Sequence, residues 1–327
     1  MSVAQRDTTA LVADSHAVLQ RHGRSFALAG ALLSREQADE AAVVYAFCRM
    51  VDDLADEAPD ARTASAALGA VDAELRGHSP ARPLVAAWLD VMQRRAVPVD
   101  AGRELMNGVL SDLEQVRIAD DRGLLRYCYR VAGTVGLMMC GVIGVTEPKA
   151  LPHAIDLGLG MQLTNICRDV AEDASRGRCY LPASRLAAVG LRPEQLWEPD
   201  ADGQPGGALR ADPDARRRLA GVVDDLLELA EGCYARAWLG MSSIPARPRA
   251  AMIVAAVLYR EIGRELRRRG ADPLHGRTVL RPHQRAGAFV QGLALTLSPR
   301  SWRRDPALGL LPPLHAHLRG LGGVPAG

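Results

Sequence analysis

Residues 157–182 read Leu-Gly-Leu-Gly-Met-Gln-Leu-Thr-Asn-Ile-Cys-Arg-Asp-Val-Ala-Glu-Asp-Ala-Ser-Arg-Gly-Arg-Cys-Tyr-Leu-Pro. On a helix, Gln162, Asn165, Asp169 and Asp173 follow at steps of three, four and four, so they share one face. That face carries two amides and then two carboxylates one turn apart, with roughly 6 Å between their Cβ atoms. Carboxylates so close repel each other unless a cation lies between them or one keeps a proton. Oxygen ligands with open positions suit Mg²⁺, which retains water and shares itself with phosphate oxygens. Arg178, just beyond the helix, offers those phosphates a planar fork. A lone Asp-x-x-x-Asp is more often a solvated helix face; a second pair upstream changes the balance.

That second pair lies in Tyr45-Ala-Phe-Cys-Arg49-Met-Val-Asp52-Asp53-Leu-Ala-Asp56-Glu57. Asp52 and Asp56 share a face, and Arg49 joins it three residues before Asp52. Paired aspartates with a nearby arginine therefore occur twice, at 49/52/56 and at 168/169/173. On facing helices they would form a bowl of carboxylates able to hold several Mg²⁺ ions. Such a bowl grips diphosphate, neutralises its charge as it leaves, and so ionises an allylic carbon. The carbocation must be kept from water, which calls for an apolar chamber below the metals. Helices rich in Ala, Leu, Val and Met supply that lining, and Phe26, Tyr45, Tyr129 and Tyr259 are the aromatic candidates for cation–π support. Each tyrosine reads alternatively as an ordinary core residue with a bonded hydroxyl. A third stretch, Tyr127 to Met138, places Gly133 and Gly136 inside a helix, where each costs about 1 kcal/mol relative to alanine. Tight packing against another helix is the plainer reading of these glycines, and close approach of a long ligand the other.

Composition sets the frame. The 327 residues are 48% hydrophobic and only 4% aromatic, with abundant alanine, leucine and arginine, a bias toward helix. A net charge of +2 gives no argument for nucleic acid as a partner. The six cysteines lack metal-type spacing and read as reduced thiols of a cytoplasmic protein. The longest apolar run, Val131 to Val145, falls short of the roughly 20 residues that cross a bilayer.

Nearly every segment to residue 300 has helical periodicity. Helices are predicted at about 8–21, 34–57 with a capping box at Ser34, 61–77, 82–96, 101–117, 120–147, 149–173, 212–241, 246–269 and 283–297. Residues 187–211 read as loop-rich. The expectation is one all-α domain, a helical bundle around a central apolar cavity over 1–303, followed by a poorly ordered Pro/Gly-rich tail at 304–327.

Leu157 to Pro182 and Tyr127 to Val142 resemble the two signatures of the squalene/phytoene synthase family, and Asp52/Asp56 fall where that family keeps its first aspartate motif. The resemblance covers about residues 21–297, and the wording Tyr-Cys-Tyr-Arg-Val-Ala-Gly-Thr-Val-Gly-Leu-Met-Met is most similar to bacterial phytoene synthases. It implies an all-α isoprenoid synthase fold that condenses two allylic diphosphates head to head. Asp52, Asp56, Asp169 and Asp173, with Asn165, would then bind several Mg²⁺ ions, Mn²⁺ being able to substitute, with Gln162 alongside. Arg49 and Arg178 match basic positions that grip diphosphate. Arg24 and Ser25 match a segment that flaps over it, and Arg277 resembles a late basic position. Tyr45, Tyr129 and Tyr259 match tyrosines near the reacting centre, Tyr129 being a candidate to take protons. The implied reaction joins two geranylgeranyl diphosphates through prephytoene diphosphate to phytoene, without NADPH, in a cytoplasmic enzyme touching the inner face of a membrane. Squalene, presqualene diphosphate or dehydrosqualene synthesis from farnesyl diphosphate is the alternative within the fold. A non-catalytic helical assembly protein is the alternative outside it.

Overall fold

Ser34 starts the helix that carries the first aspartate pair. Its hydroxyl accepts from the Gln37 N–H at 3.2 Å, and the Gln37 side chain accepts from the Ser34 N–H at 3.4 Å, the reciprocal box predicted from sequence. The computed structural model describes residues 3–199 and 203–324, leaving aside the side chains of 3–8, 24 and 25. The helices are α1 (Val3–His22), α2 (Arg24–Gly30), α3 (Arg35–Asp56), α4 (Ala61–Leu75), α5 (Pro83–Arg94), α6 (Asp100–Leu110), α7 (Asp121–Cys128), α8 (Thr134–Val142), α9 (Leu151–Ser175), α10 (Ala183–Ala188), α11 (Gly207–Ala211), α12 (Pro213–Ala237), α13 (Ala246–Arg268), α14 (Pro282–Thr296) and α15 (Pro299–Trp302). Among the described residues there is no strand, only isolated bridges such as Arg117 with Cys179. All six cysteines are free. No helix among them is long and apolar enough to cross a membrane.

Helix α9 is the axis of the molecule. It is apolar on nearly every side, as a helix enclosed by neighbours must be, and packs against α8, α12 and α13. A smaller core between α3 and α6 holds Phe47 stacked on Trp88 with centroids 4.4 Å apart. Between α7 and α8, Tyr129–Gly133 winds as one π turn, a local widening that is common beside functional sites. The glycines here serve helix contact. A Cβ on Gly136 would stand 2.5 Å from the Ala154 carbonyl oxygen, and one on Gly158 would stand 2.5 Å from that of Ala132.

The segment after Arg303 differs from expectation. Residues 313–318 form a 3₁₀ turn, and His315, Leu318 and Leu321 are buried. The reason is a polar seat that sequence periodicity does not reveal. Asp156 of α9, fully buried, receives His315 Nε2 at 3.1 Å and Arg236 Nε at 3.2 Å, while Gly309 N–H donates to His153 at 3.0 Å. A buried carboxylate needs such partners, and residues 304–324 bring one of them.

Candidate active site

The acidic ends of α3 and α9 meet. Arg178, three residues past the end of α9, donates to Asp56 Oδ1 at 2.9 Å, and Arg176 lies 3.3 Å from Asp56 Oδ2. On α9, Asp169 takes the guanidinium of its neighbour Arg168 at 2.8 Å and Arg277 at 3.1 Å; Arg277 also reaches Glu172 at 3.2 Å. Arg49 pairs with Asp53, one turn on. Arg176 and Arg178 thus tie the two carboxylate arrays together, while Arg168 and Arg277 hold the second array and Arg49 the first.

Asp112, on the connection after α6, joins this group although no local pattern marks it. Its Oδ2 accepts the Tyr127 hydroxyl at 2.9 Å, the Tyr180 hydroxyl lies close by, and its Oδ1 is buried without a partner. Tyr127 and Tyr180 stack with centroids 4.7 Å apart. Burial raises the Asp112 carboxyl to about 6, against the pull of the Tyr127 bond and Arg178. Burial also raises Asp52 to about 7; Arg49 opposes this, and Asp56 and Asp112 add repulsion. Asp173 reaches about 7 by burial and by repulsion from Asp169 and Glu172, against Arg178 and Arg176. Each aspartate array therefore holds one half-buried carboxylate whose charge is poorly compensated.

The donor set fits magnesium in kind. It is all oxygen, and Asn165 Oδ1, one turn before Asp169, is buried with no hydrogen-bond partner while its amide bonds Gln162 at 3.3 Å. Among the described residues no three metal-type side chains converge as a ready cage. Arg178 holds Asp56, and Arg168 holds Asp169, by carboxylate oxygens of the kind a cation would take.

Above this group lie the aromatics. Phe26 from α2 sits 5.2 Å from Tyr259 of α13 and 6.3 Å from Tyr45 of α3, centroid to centroid. Burial raises the Tyr45 hydroxyl to about 12, with Tyr259 adding to the rise. Gly23 admits this packing, because a Cβ there would stand 2.9 Å from the Tyr45 ring. One small space lies beside Asp173, Arg178 and Tyr180 and another between α9, α12 and α13, neither with room for more than about one water molecule.

Of the residues singled out from sequence, the structure brings Asp52, Asp56, Asp169, Asp173, Arg49, Arg178, Arg277, Tyr45 and Tyr259 to this region, with Asn165 and Gln162 on the same helix as Asp169. Tyr129 is not among them. Its ring is fully buried, its hydroxyl donates to the Gly322 carbonyl at 2.6 Å, and the charged group acting on it is Glu104, so it takes the core reading. The side chains of Arg24 and Ser25, at the start of α2, lie outside the described residues. Asp112, Arg176 and Glu172 are the additions that sequence reasoning missed.

The fold has close likenesses. A dehydrosqualene synthase crystal structure superposes with a TM-score of 0.75 and 25% identity, covering 89% of this chain and 96% of that one. A squalene synthase from Alicyclobacillus acidocaldarius gives 0.69 at 23% identity, covering 84% and 98%. In sequence, the Squalene/phytoene synthase family profile matches residues 19–284. A 15-cis-phytoene synthase from Enterobacter agglomerans is 32% identical over 86% of this chain and 95% of its own length. One from Paracoccus sp. is 37% identical over 80% and 84%, and a phytoene synthase from Thermus thermophilus 36% over 86% and 93%. The chain belongs to the squalene/phytoene synthase family.

Proposed function

We propose that this chain is a prenyltransferase that condenses two geranylgeranyl diphosphates head to head, through prephytoene diphosphate, to phytoene. The observation that carries the reading is the meeting of α3 and α9 at Asp56, Arg176 and Arg178, in a chain about one-third identical to phytoene synthases along most of its length. Asp52, Asp56, Asn165, Asp169 and Asp173 would hold magnesium, with Asp112 beside them. Magnesium supplies charge neutralisation to the departing diphosphate when bound. Arg178, Arg176 and Arg277 turn from their carboxylates to the diphosphate oxygens, where a planar fork binds well. Phe26, Tyr45 and Tyr259 exclude water from the carbocation and offer it their ring faces. The cycle needs no reductant in this reading, and contact with a membrane accompanies it because substrate and product are apolar.

Incubation with C15 and C20 diphosphates and Mg²⁺, with and without NADPH, tests it. Phytoene from the C20 substrate without NADPH is the expected result; conversion of the C15 substrate alone overturns the chain-length assignment. The competing view, a helical assembly protein without catalysis, is separated by thermal unfolding. Mg²⁺ with pyrophosphate is expected to stabilise the fold by about 2.7 kcal/mol at roughly 100 times Kd. No rise in Tm with both present would favour the assembly protein.

A further inference from the structure

Between Asp272 and Asp305 the chain has no carboxylate, yet it places six arginines there, at 277, 281, 285, 300, 303 and 304. With a net charge of only +2 overall, basic charge is segregated onto this stretch. Helix α14 lies within it and is apolar on two opposite sides. The inner side is settled: Ala288 and Gly292 are buried, and a Cβ on Gly292 would stand 2.9 Å from Val254 Cα of α13. The outer side exposes Ala286, Val290, Ala294 and Leu297 at steps of four, four and three, with Val290 63% and Leu297 81% accessible. The inner apolar side of this helix is covered by α13, and the outer one is bare.

Helix α15 extends the face. Buried Arg249 donates to the carbonyls of Ser242, Ile244 and Ser301, and its guanidinium lies 4.3 Å from the Trp302 ring centroid. The Trp302 indole N–H donates to the Thr296 carbonyl at 2.6 Å, which fixes the exposed ring beside the end of α14. Arg281 and Arg285 stand at the start of α14, and Arg300 and Arg303 flank Trp302. Among the described residues none of these four pairs with a carboxylate, whereas Arg277 serves the active site and Arg304 is held by Glu147.

We propose that the outer face of α14 and α15 docks onto an anionic phospholipid bilayer. Val290 and Leu297 would enter the acyl boundary, Trp302 would lie at headgroup level, and the four arginines would meet lipid phosphates. A second copy of the chain is the poorer occupant, because a two-fold interface sets arginine against arginine. The proposal draws its purpose from the prenyl-lipid reading above but is tested apart from it.

Cosedimentation of the full chain with phosphatidylglycerol-containing vesicles, against phosphatidylcholine alone, is the experiment. Binding to the anionic vesicles that weakens with salt is expected. Val290→Glu with Leu297→Glu is expected to lower partitioning at least roughly tenfold, since it removes buried apolar area. Arg300→Gln with Arg303→Gln is expected to lower it by roughly tenfold or more on anionic vesicles only. All four positions are exposed, so circular dichroism should be unchanged, and turnover of detergent-dispersed substrate should stay at the parent level. Loss of that turnover in the parent would instead count against the catalytic reading. Absence of parent binding, equal binding by the variants, or a dimer dispersed by Leu297→Glu without vesicle binding would each overturn the proposal. So would capture of an acidic protein by a parent that ignores vesicles.

Discussion

Asp52→Ala and Asp173→Ala are each expected to lower prenyl diphosphate turnover by roughly 10²–10³-fold or more, the loss typical when one preorganised electrostatic partner of a transition state is removed. Both carboxylates stand where burial and like charges raise them to about 7, so an added cation gains most from them. The same electrostatics predict that the fold survives. An ordinary unfolded aspartate titrates near 3.8, below the folded value, so the folded chain binds these protons more tightly. Metal-free stability contributed by Asp52 therefore falls as pH rises from about 4 to about 7. Asp52→Asn, which leaves Arg49, Asp53, Asp56 and Asp112 in place, is expected to melt no lower than the parent at about pH 8 without metal, the difference narrowing toward about pH 4. Steady-state turnover with calorimetry checks both halves. An active Asp52→Ala/Asp173→Ala double variant would end the metal role.

Gly158→Ala is expected to destabilise the protein by about 1–3 kcal/mol, the range for forcing atoms into a packed core. Helix propensity argues the other way, by about 1 kcal/mol in favour of alanine. Sterics decide, because the new methyl would meet the Ala132 carbonyl carbon at 2.7 Å and the Gly133 Cα at 2.8 Å, all backbone, with no flexible side chain to yield. Gly136→Ala meets the Ala154 carbonyl in the same way. Gly221→Ala on α12, with nothing within 4 Å of the added atom, is the control and should be neutral or stabilising by about 0.5–1 kcal/mol. Urea unfolding compares the three. If Gly158→Ala matches Gly221→Ala, the close approach of α9 to the turn before α8 has been misread.

The legible parts of this protein are those written at short range. Ser34 and Gln37 announce a helix start, and Asp52/Asp56 and Asp169/Asp173 announce an acidic face, because three- and four-residue steps map directly onto a helix. Asp112 could not be found this way. It is a single carboxylate off the end of a helix, and its partners Tyr127 and Tyr180 arrive through tertiary packing. Tyr129 misled for the opposite reason. It matches a tyrosine near the reacting centre of the family that the sequence resembles, but the π turn and the Gly322 carbonyl fix its hydroxyl elsewhere. Residues 304–324 look unstructured because Pro and Gly suppress periodicity, while their hold on the body is a buried polar contact with no sequence period at all.

The bonds from Tyr129 to Gly322 and from Asp156 to His315 each close a long loop of chain. On the ribosome, Asp156 is made well before its histidine, and Tyr129 well before the carbonyl that receives it. A nascent chain therefore carries a half-satisfied carboxylate on its main axis until residues 305–324 clear the exit tunnel. During that interval the growing polypeptide is most exposed to chaperones and proteases.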